Sequence, residues 1–203
     1  MKALSSNFLE SLNTNQKKAV LETSGPLLIL AGAGTGKTRV LTTRLANILK
    51  NRLANPNETL TVTFTNKAAS EMKQRVEFML KVATDGWWIG TFHAMAARIL
   101  RNHPELAGLK KQFSIIDIDD QIRLVKQALS YHNVDEKRWP PRLLHNIIQR
   151  WKDKGMNPDN ISDKEKLGSV NSKEIYKTYQ NRLLTLNVVD YGDLLLHNIN
   201  IFR

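Results

Sequence analysis

The chain has 203 residues, of which 41% are hydrophobic and 24% charged, with no cysteine and a formal net charge of +11. The lack of cysteine excludes disulfides and thiolate metal sites and predicts a reducing, cytoplasmic environment, and no apolar run approaches the ~20 residues that a membrane-spanning helix needs. Residues 1–114 carry 16 Lys and Arg against 7 Asp and Glu, which predicts a polyanionic partner such as nucleic acid.

Short apolar runs alternate with helical patterns through the first half of the chain. In chain order, these patterns predict strands over 27–31, 59–64, part of 85–92 and 113–116, and helices over 37–49, 68–81 and 94–101. Such alternation is typical of a parallel sheet covered by helices. After Asp117 the patterns predict helices over 119–131, 140–154 and 171–187, which indicates a second, all-helical part.

The stretch LLILAGAGTGKTRVL, residues 27–41, places a glycine-rich turn between a predicted strand and a predicted helix. It matches the phosphate-loop pattern G-x-x-x-x-G-K-S/T, except that Ala31 stands where the pattern has its first glycine. Gly34 and Gly36 allow the positive φ angles at which backbone N–H groups converge on phosphate. Lys37 supplies a charge for the phosphates and Thr38 a hydroxyl ligand for Mg²⁺, so these two are the predicted catalytic residues. The predicted nucleotide-binding loop comprises Ala31, Gly32, Ala33, Gly34, Thr35, Gly36, Lys37 and Thr38.

Four segments, taken in order, resemble the first motifs of the UvrD/Rep-type superfamily 1 DNA helicases. They are LNTNQKKAV (12–20), AGAGTGKTR (31–39), TFTNKAASEMKQRV (63–76) and IGTFHAMAARIL (89–100). The later RWKDKGMNP and VVDYGDLLL resemble the helical insertion of that family and the segment that returns from it. The resemblance implies an enzyme that uses ATP and Mg²⁺ to translocate on single-stranded DNA and to unwind duplex DNA, in repair or replication.

The same resemblance implies an α/β fold with a RecA-like P-loop NTPase parallel sheet, helices on both faces, and a small all-helical subdomain. It divides the chain into the first part of an ATP-binding motor domain (1–114), a helical insertion (115–187) and a segment returning to the motor domain (188–203). The Walker B carboxylate and the second motor domain would follow Arg203, in C-terminal helicase domains that this chain would need as partners. We therefore expect the chain alone not to hydrolyse ATP.

Two further nucleotide contacts are implied by the resemblance. Gln16 stands where the family has a Gln that hydrogen-bonds the adenine edge, so its amide is the predicted reader of the base. Arg39 stands where the family has an Arg beside the adenine ring, which makes it a predicted stacking partner. As bare residues, both also fit the solvent-facing side of a helix.

Polar and aromatic residues follow the ends of two predicted strands. Ligands of α/β sheets bind where parallel strands end, and aromatic rings stack on bases while small polar and basic side chains contact phosphates. For Phe64 and Phe92 the alternative is packing in the core. The resulting prediction is a groove for single-stranded DNA that includes Phe64, Thr65, Asn66 and Lys67 after one strand and Thr91 and His93 after the next.

Two rival functions fit the same residues. Asp117 ends the apolar run FSII and resembles a Walker B carboxylate, which would make the chain a small self-contained P-loop kinase or ATPase. The alternative is that these aspartates are structural, with Asp119 or Asp120 as the N-cap of the helix that starts at Gln121. The second rival is a stand-alone regulatory module that binds nucleotide or nucleic acid without turnover.

Overall fold

A computed structural model describes residues 7–162 and 171–203. Its α-helices are α1 (Asn7–Glu10), α2 (Thr14–Leu21), α3 (Lys37–Lys50), α4 (Asn66–Leu80), α5 (Phe92–Asn102), α6 (Ile118–Tyr131), α7 (Pro141–Asp153), α8 (Ser172–Leu186) and α9 (Tyr191–Ile201). Its strands are β1 (Thr61–Thr63), β2 (Ile89–Thr91), β3 (Ser114–Ile115) and β4 (Val188–Val189). Within the described ranges, no helix is long and apolar enough to cross a membrane.

The chain forms two compact units, Met1–Met95 and Ala96–Arg203. In the first unit, β1 and β2 pair in parallel, with Thr61 opposite Ile89 and Thr63 opposite Thr91. Helices α3 and α4 pack against each other, and α2 packs against α3. The core of this unit joins one residue of α3, two of α4 and one of β2: Leu45, Met72, Val76 and Ile89.

The second unit is mainly helical. Helix α6 packs on α7 and α8 around a core that includes Leu129, Ile148 and Tyr179. Strands β3 and β4 pair in parallel, with Ser114 opposite Val188. A fully buried ionic cluster lies in the same unit, where the ammonium of Lys152 contacts the carboxylates that begin α9.

The predicted strand over Leu27–Ala31 is wrong for this structure, which has no strand there. A β-strand forms where a second strand exchanges backbone hydrogen bonds with it, and no described strand pairs with this segment. Its apolar side chains are exposed on both sides, to 82% at Leu28 and 87% at Leu30. The two described sheets have two strands each, so the structure shows a helix-rich α/β fold with short parallel sheets rather than one large sheet.

The predicted helices agree with the structure to within two residues at each end, and side-chain caps set several of the starts. Thr65 accepts a hydrogen bond from the N–H of Ala68, so α4 begins at Asn66. At α6 the predicted cap is wrong: Asp117, rather than Asp119 or Asp120, is the N-cap. The division into 1–114, 115–187 and 188–203 stays a prediction, and residues 163–170 of its middle part lie outside the described residues.

Candidate nucleotide and DNA site

The glycine-rich loop turns sharply into the first turn of α3. Gly34 has φ +73° and Gly36 has φ +88°, a conformation that residues with a Cβ rarely adopt. Helix α3 begins directly afterwards at Lys37, so its unpaired N–H groups and the positive end of its dipole lie next to the loop. The hydroxyl of Thr35 donates to the carbonyl of Gly32 at 2.7 Å and closes the turn. Such a backbone arrangement is chemically suited to a phosphate group.

Lys37 folds back over the loop that precedes it. Its ammonium donates to the carbonyl of Ala31 at 3.1 Å and to that of Gly32 at 2.7 Å, which uses two of its three N–H donors. Thr38 is half-buried in the first turn of α3. Among the described residues, no carboxylate forms an ion pair with Lys37. In the part of the chain that the structure describes, the loop is therefore a site of positive charge with no acidic side chain in its hydrogen-bond network.

Gln16 contacts the loop through its side chain. Its Nε2 donates to the carbonyl of Thr35 at 3.0 Å, while its Oε1 accepts from the N–H of Asn13 at 3.1 Å. Asn13 caps α2 in return by accepting from the N–H of Gln16. Each amide atom keeps one further hydrogen-bonding position, so a base edge can still be read. Arg39 is exposed on the first turn of α3, directly after Thr38.

The ends of β1 and β2 bring two aromatic residues together. Because Thr63 lies opposite Thr91, the next residues leave the sheet at the same edge. The rings of Phe64 and Phe92 lie 5.4 Å apart, centre to centre, at 46°. Phe64 is 90% exposed and Phe92 43% exposed, so neither ring is a core residue. The sequence left core packing open for both rings, since only the register of the two strands decides where the rings lie.

The polar residues predicted at this edge fall into two groups. The hydroxyls of Thr65 and Thr91 each accept a hydrogen bond from a helix N–H, at 3.2 Å in both cases, so they shape the turns into α4 and α5. Asn66 and Lys67 are exposed in the first turn of α4, and His93 is half-buried in the first turn of α5. All six predicted contacts thus lie at the carboxyl ends of two neighbouring strands.

Asp117, the carboxylate of the rival hypothesis, is engaged elsewhere. Its Oδ1 accepts from the N–H of Asp120 at 2.9 Å as the cap of α6. The short strand before it, β3, pairs with β4. The geometry of Asp117 is therefore that of a helix cap.

Comparisons with known proteins identify the family of this chain. The family model of the UvrD/REP helicase N-terminal domain matches residues 12–203. A probable DNA helicase II homolog of Rickettsia conorii is 50% identical over 97% of this chain and 30% of its own length. DNA helicase II of Escherichia coli is 41% identical over 94% of this chain and 26% of its own length. The ATP-dependent DNA helicase PcrA of Bacillus subtilis is 41% identical over the whole chain and 28% of its own length.

The chain thus spans less than a third of the length of the relatives it matches. Both the loop and the two strand ends fall inside the matched residues.

Proposed function

This chain belongs to the UvrD/REP helicase N-terminal domain family, and from that premise we propose that it forms the ATP-binding and single-stranded-DNA-contacting part of an ATP-dependent DNA helicase. The observation that carries the proposal is the loop from Gly32 to Thr38. In this loop two glycines at positive φ lie directly before the start of a helix whose first residue is a lysine. The complete enzyme would translocate on single-stranded DNA and unwind duplex DNA in repair or replication. The finer fold, a RecA-like parallel sheet with helices on both faces and a helical subdomain, belongs to the same proposal.

The residues of the loop fit a nucleoside triphosphate with Mg²⁺. The N–H groups at the start of α3 would bind the phosphates, Lys37 would move its donors from the loop carbonyls to them, and the Thr38 hydroxyl would ligate the metal. ATP supplies the transferable γ-phosphoryl group whose hydrolysis drives such an enzyme. Gln16 and Arg39 would hold the base, Gln16 through the hydrogen-bonding positions it keeps and Arg39 through its exposed guanidinium.

The paired rings of Phe64 and Phe92 support a DNA contact at the strand ends. Exposed aromatic rings stack on bases without sequence preference, and a base contributes about 1–3 kcal/mol in such a contact. Lys67, Asn66 and His93 stand in the first turns of the two adjacent helices, where their side chains would contact the DNA backbone. The net charge of +11 would strengthen binding at low salt.

Binding of Mg-ATP to the 203-residue chain tests the phosphate loop. Lys37→Ala should weaken binding at least tenfold, since one charge-assisted interaction contributes about 1.5–3 kcal/mol. Lys50→Ala removes a lysine from the other end of α3 and should leave the affinity unchanged. Binding that does not depend on Lys37 would contradict the assignment of the loop.

Measuring ATP hydrolysis by the same chain distinguishes the proposed helicase part from the rival self-contained P-loop enzyme. We expect no turnover above that of Lys37→Ala, with or without single-stranded DNA, because no carboxylate joins the hydrogen-bond network of the loop among the described residues. Turnover that requires Lys37 and is lost in Asp117→Ala would favour the small P-loop kinase or ATPase instead.

A further inference from the structure

The side chain of Gln16 connects the start of α2 to the phosphate loop. Its Oε1 accepts from the backbone N–H of Asn13, and its Nε2 donates to the backbone carbonyl of Thr35. The capping box holds the oxygen end of the amide, because Oε1 accepts from the N-cap residue of the helix that carries Gln16. The other end therefore points at one atom of the loop, 19 residues further along the chain.

The carbonyl of Thr35 shares a peptide group with the N–H of Gly36. In a trans peptide these two groups point in opposite directions, and none of the described peptide bonds is cis. A hydrogen bond that holds the Thr35 carbonyl toward Gln16 therefore holds the Gly36 N–H toward the other side of the loop. That N–H is one of the donors directly before α3.

Gly36 is also the residue that admits the Gln16 side chain. A Cβ built on Gly36 would lie 3.0 Å from Nε2 of Gln16, closer than ordinary contact, in addition to the strain at φ +88°. The loop backbone and the amide are thus in direct contact. Glycine has more backbone freedom than other residues, so the Thr35–Gly36 peptide could rotate in this turn. The hydrogen bond from Gln16 restrains that rotation.

We propose that Gln16 is a positioning residue for the phosphate loop: it fixes the Thr35–Gly36 peptide so that the Gly36 N–H is oriented for a phosphate, whether or not a base is present. The inference rests on the proposed function, in which this loop binds the phosphates of ATP. It gives Gln16 a role separate from reading the base, and it makes the backbone N–H of Asn13, rather than the Asn13 side chain, the group that orients the Gln16 amide. A ligand that has phosphates and no base must therefore also depend on Gln16.

Two substitutions of Gln16 and one of Asn13 isolate the bond to Thr35. Gln16→Glu keeps an acceptor for the Asn13 N–H but has no donor for the Thr35 carbonyl. Gln16→Met also lacks the donor and adds no charge near the phosphates. Asn13→Ala is the matched control: it weakens the cap of α2 but leaves the Asn13 N–H and the Gln16 side chain in place. Urea unfolding of each variant identifies any general loss of fold.

The first readout needs no ligand. The ¹⁵N order parameter of the Gly36 amide should fall from the rigid range, about 0.85, toward the flexible range below about 0.6 in both Gln16 variants. It should stay unchanged in Asn13→Ala, and the amides of β1 should stay unchanged in all three. An unaltered Gly36 amide in both Gln16 variants would overturn the proposal, whatever ATP binding shows.

The second readout is the affinity for inorganic tripolyphosphate with Mg²⁺, a ligand without a base. Gln16→Met should weaken it about three- to tenfold, the effect of one hydrogen bond of ordinary strength. If Gln16 only reads the base, tripolyphosphate affinity stays at the wild-type value while ATP affinity falls, and the inference is wrong. If Lys37→Ala leaves ATP binding intact, the proposed function fails instead, and the Gly36 order parameter still decides the role of Gln16.

Discussion

Lys152 Nζ lies 2.6 Å from Oδ2 of Asp190, and both side chains are completely buried. The same ammonium lies 2.7 Å from Asp193, and the hydroxyl of Tyr179 donates to Asp190 at 2.8 Å. Burial by itself would raise the pKa of Asp190, but the charge and hydrogen bond of Lys152, with further hydrogen bonds from Asp193 and Tyr179, outweigh it and hold that pKa below its ordinary value. The cluster connects α7 and α8 to the start of α9, so the second unit contains a buried ammonium with two carboxylates where an apolar contact is usual.

Lys152→Met should destabilise the chain by about 3–5 kcal/mol, because it leaves two buried carboxylates without their cation. Urea unfolding followed by circular dichroism measures this. The control is Arg123→Met, which breaks the exposed pair with Asp120 in the same unit and should cost at most about 1 kcal/mol. Equal effects of the two substitutions would show that the buried cluster does not stabilise the fold.

Stability should fall as the pH is lowered from 7.5 to 5.5. Burial lowers the pKa of His145 and of His197, although nearby Asp190 acts in the opposite direction on both. Histidines of the unfolded chain titrate near pH 6.5, so below about that pH the unfolded state binds protons that the folded state does not, and the folded state loses stability.

The pH dependence is read from urea midpoints at several pH values. Replacing His145 and His197 together by Gln should flatten the profile, whereas His103→Gln, at an exposed histidine, should leave its slope in place. A slope that persists in the double variant would place its origin in other groups.

Binding of single-stranded DNA should depend on the aromatic pair. Phe64→Ala should weaken binding of an oligothymidine by about 1–3 kcal/mol, the contribution of one stacked base, and Phe92→Ala should weaken it by less because that ring is less exposed. Fluorescence anisotropy at fixed salt concentration measures the affinity. Phe78→Ala is the matched control, since Phe78 is 85% exposed on α4 in the same unit and lies away from the strand ends. A loss as large in Phe78→Ala would point to nonspecific apolar binding.

The exposed segment 27–30 should make this chain self-associate. Unpaired backbone groups and exposed apolar side chains recruit further strands, so the double substitution Leu28→Lys/Leu30→Lys should lower the associated fraction in sedimentation velocity. It should leave the free energy of unfolding nearly unchanged, since both side chains lie in solvent. Leu53→Lys, an isolated exposed leucine, should have no effect on association. Unchanged association in the double variant would show that other surfaces drive it.

Local features of the chain could be predicted because their causes lie within a few residues. The glycines and lysine of the loop, and the position of α3 directly after them, follow from the pattern itself. Helix starts follow from caps such as Thr65, whose hydroxyl reaches an N–H three residues further on. The cap of α6 was misplaced by two or three residues because three aspartates stand close together and only the backbone conformation shows that Asp117 is the cap.

Contacts between residues distant in the chain could not be predicted from the sequence and are seen only in the tertiary structure. The sequence shows that Leu27–Leu30 is apolar, but a strand forms only if another strand pairs with it, and no described strand does so. The sequence places aromatic residues after two strands, but the register of Thr63 with Thr91 brings their rings together. The family resemblance implied a base contact for Gln16, while its bond to Thr35 depends on how α2 packs on α3. Helix caps and turns depend on hydrogen bonds between residues close in the chain, so the sequence predicts them. Strand pairing and side-chain burial depend on which distant segment packs nearby, and only the tertiary structure shows that.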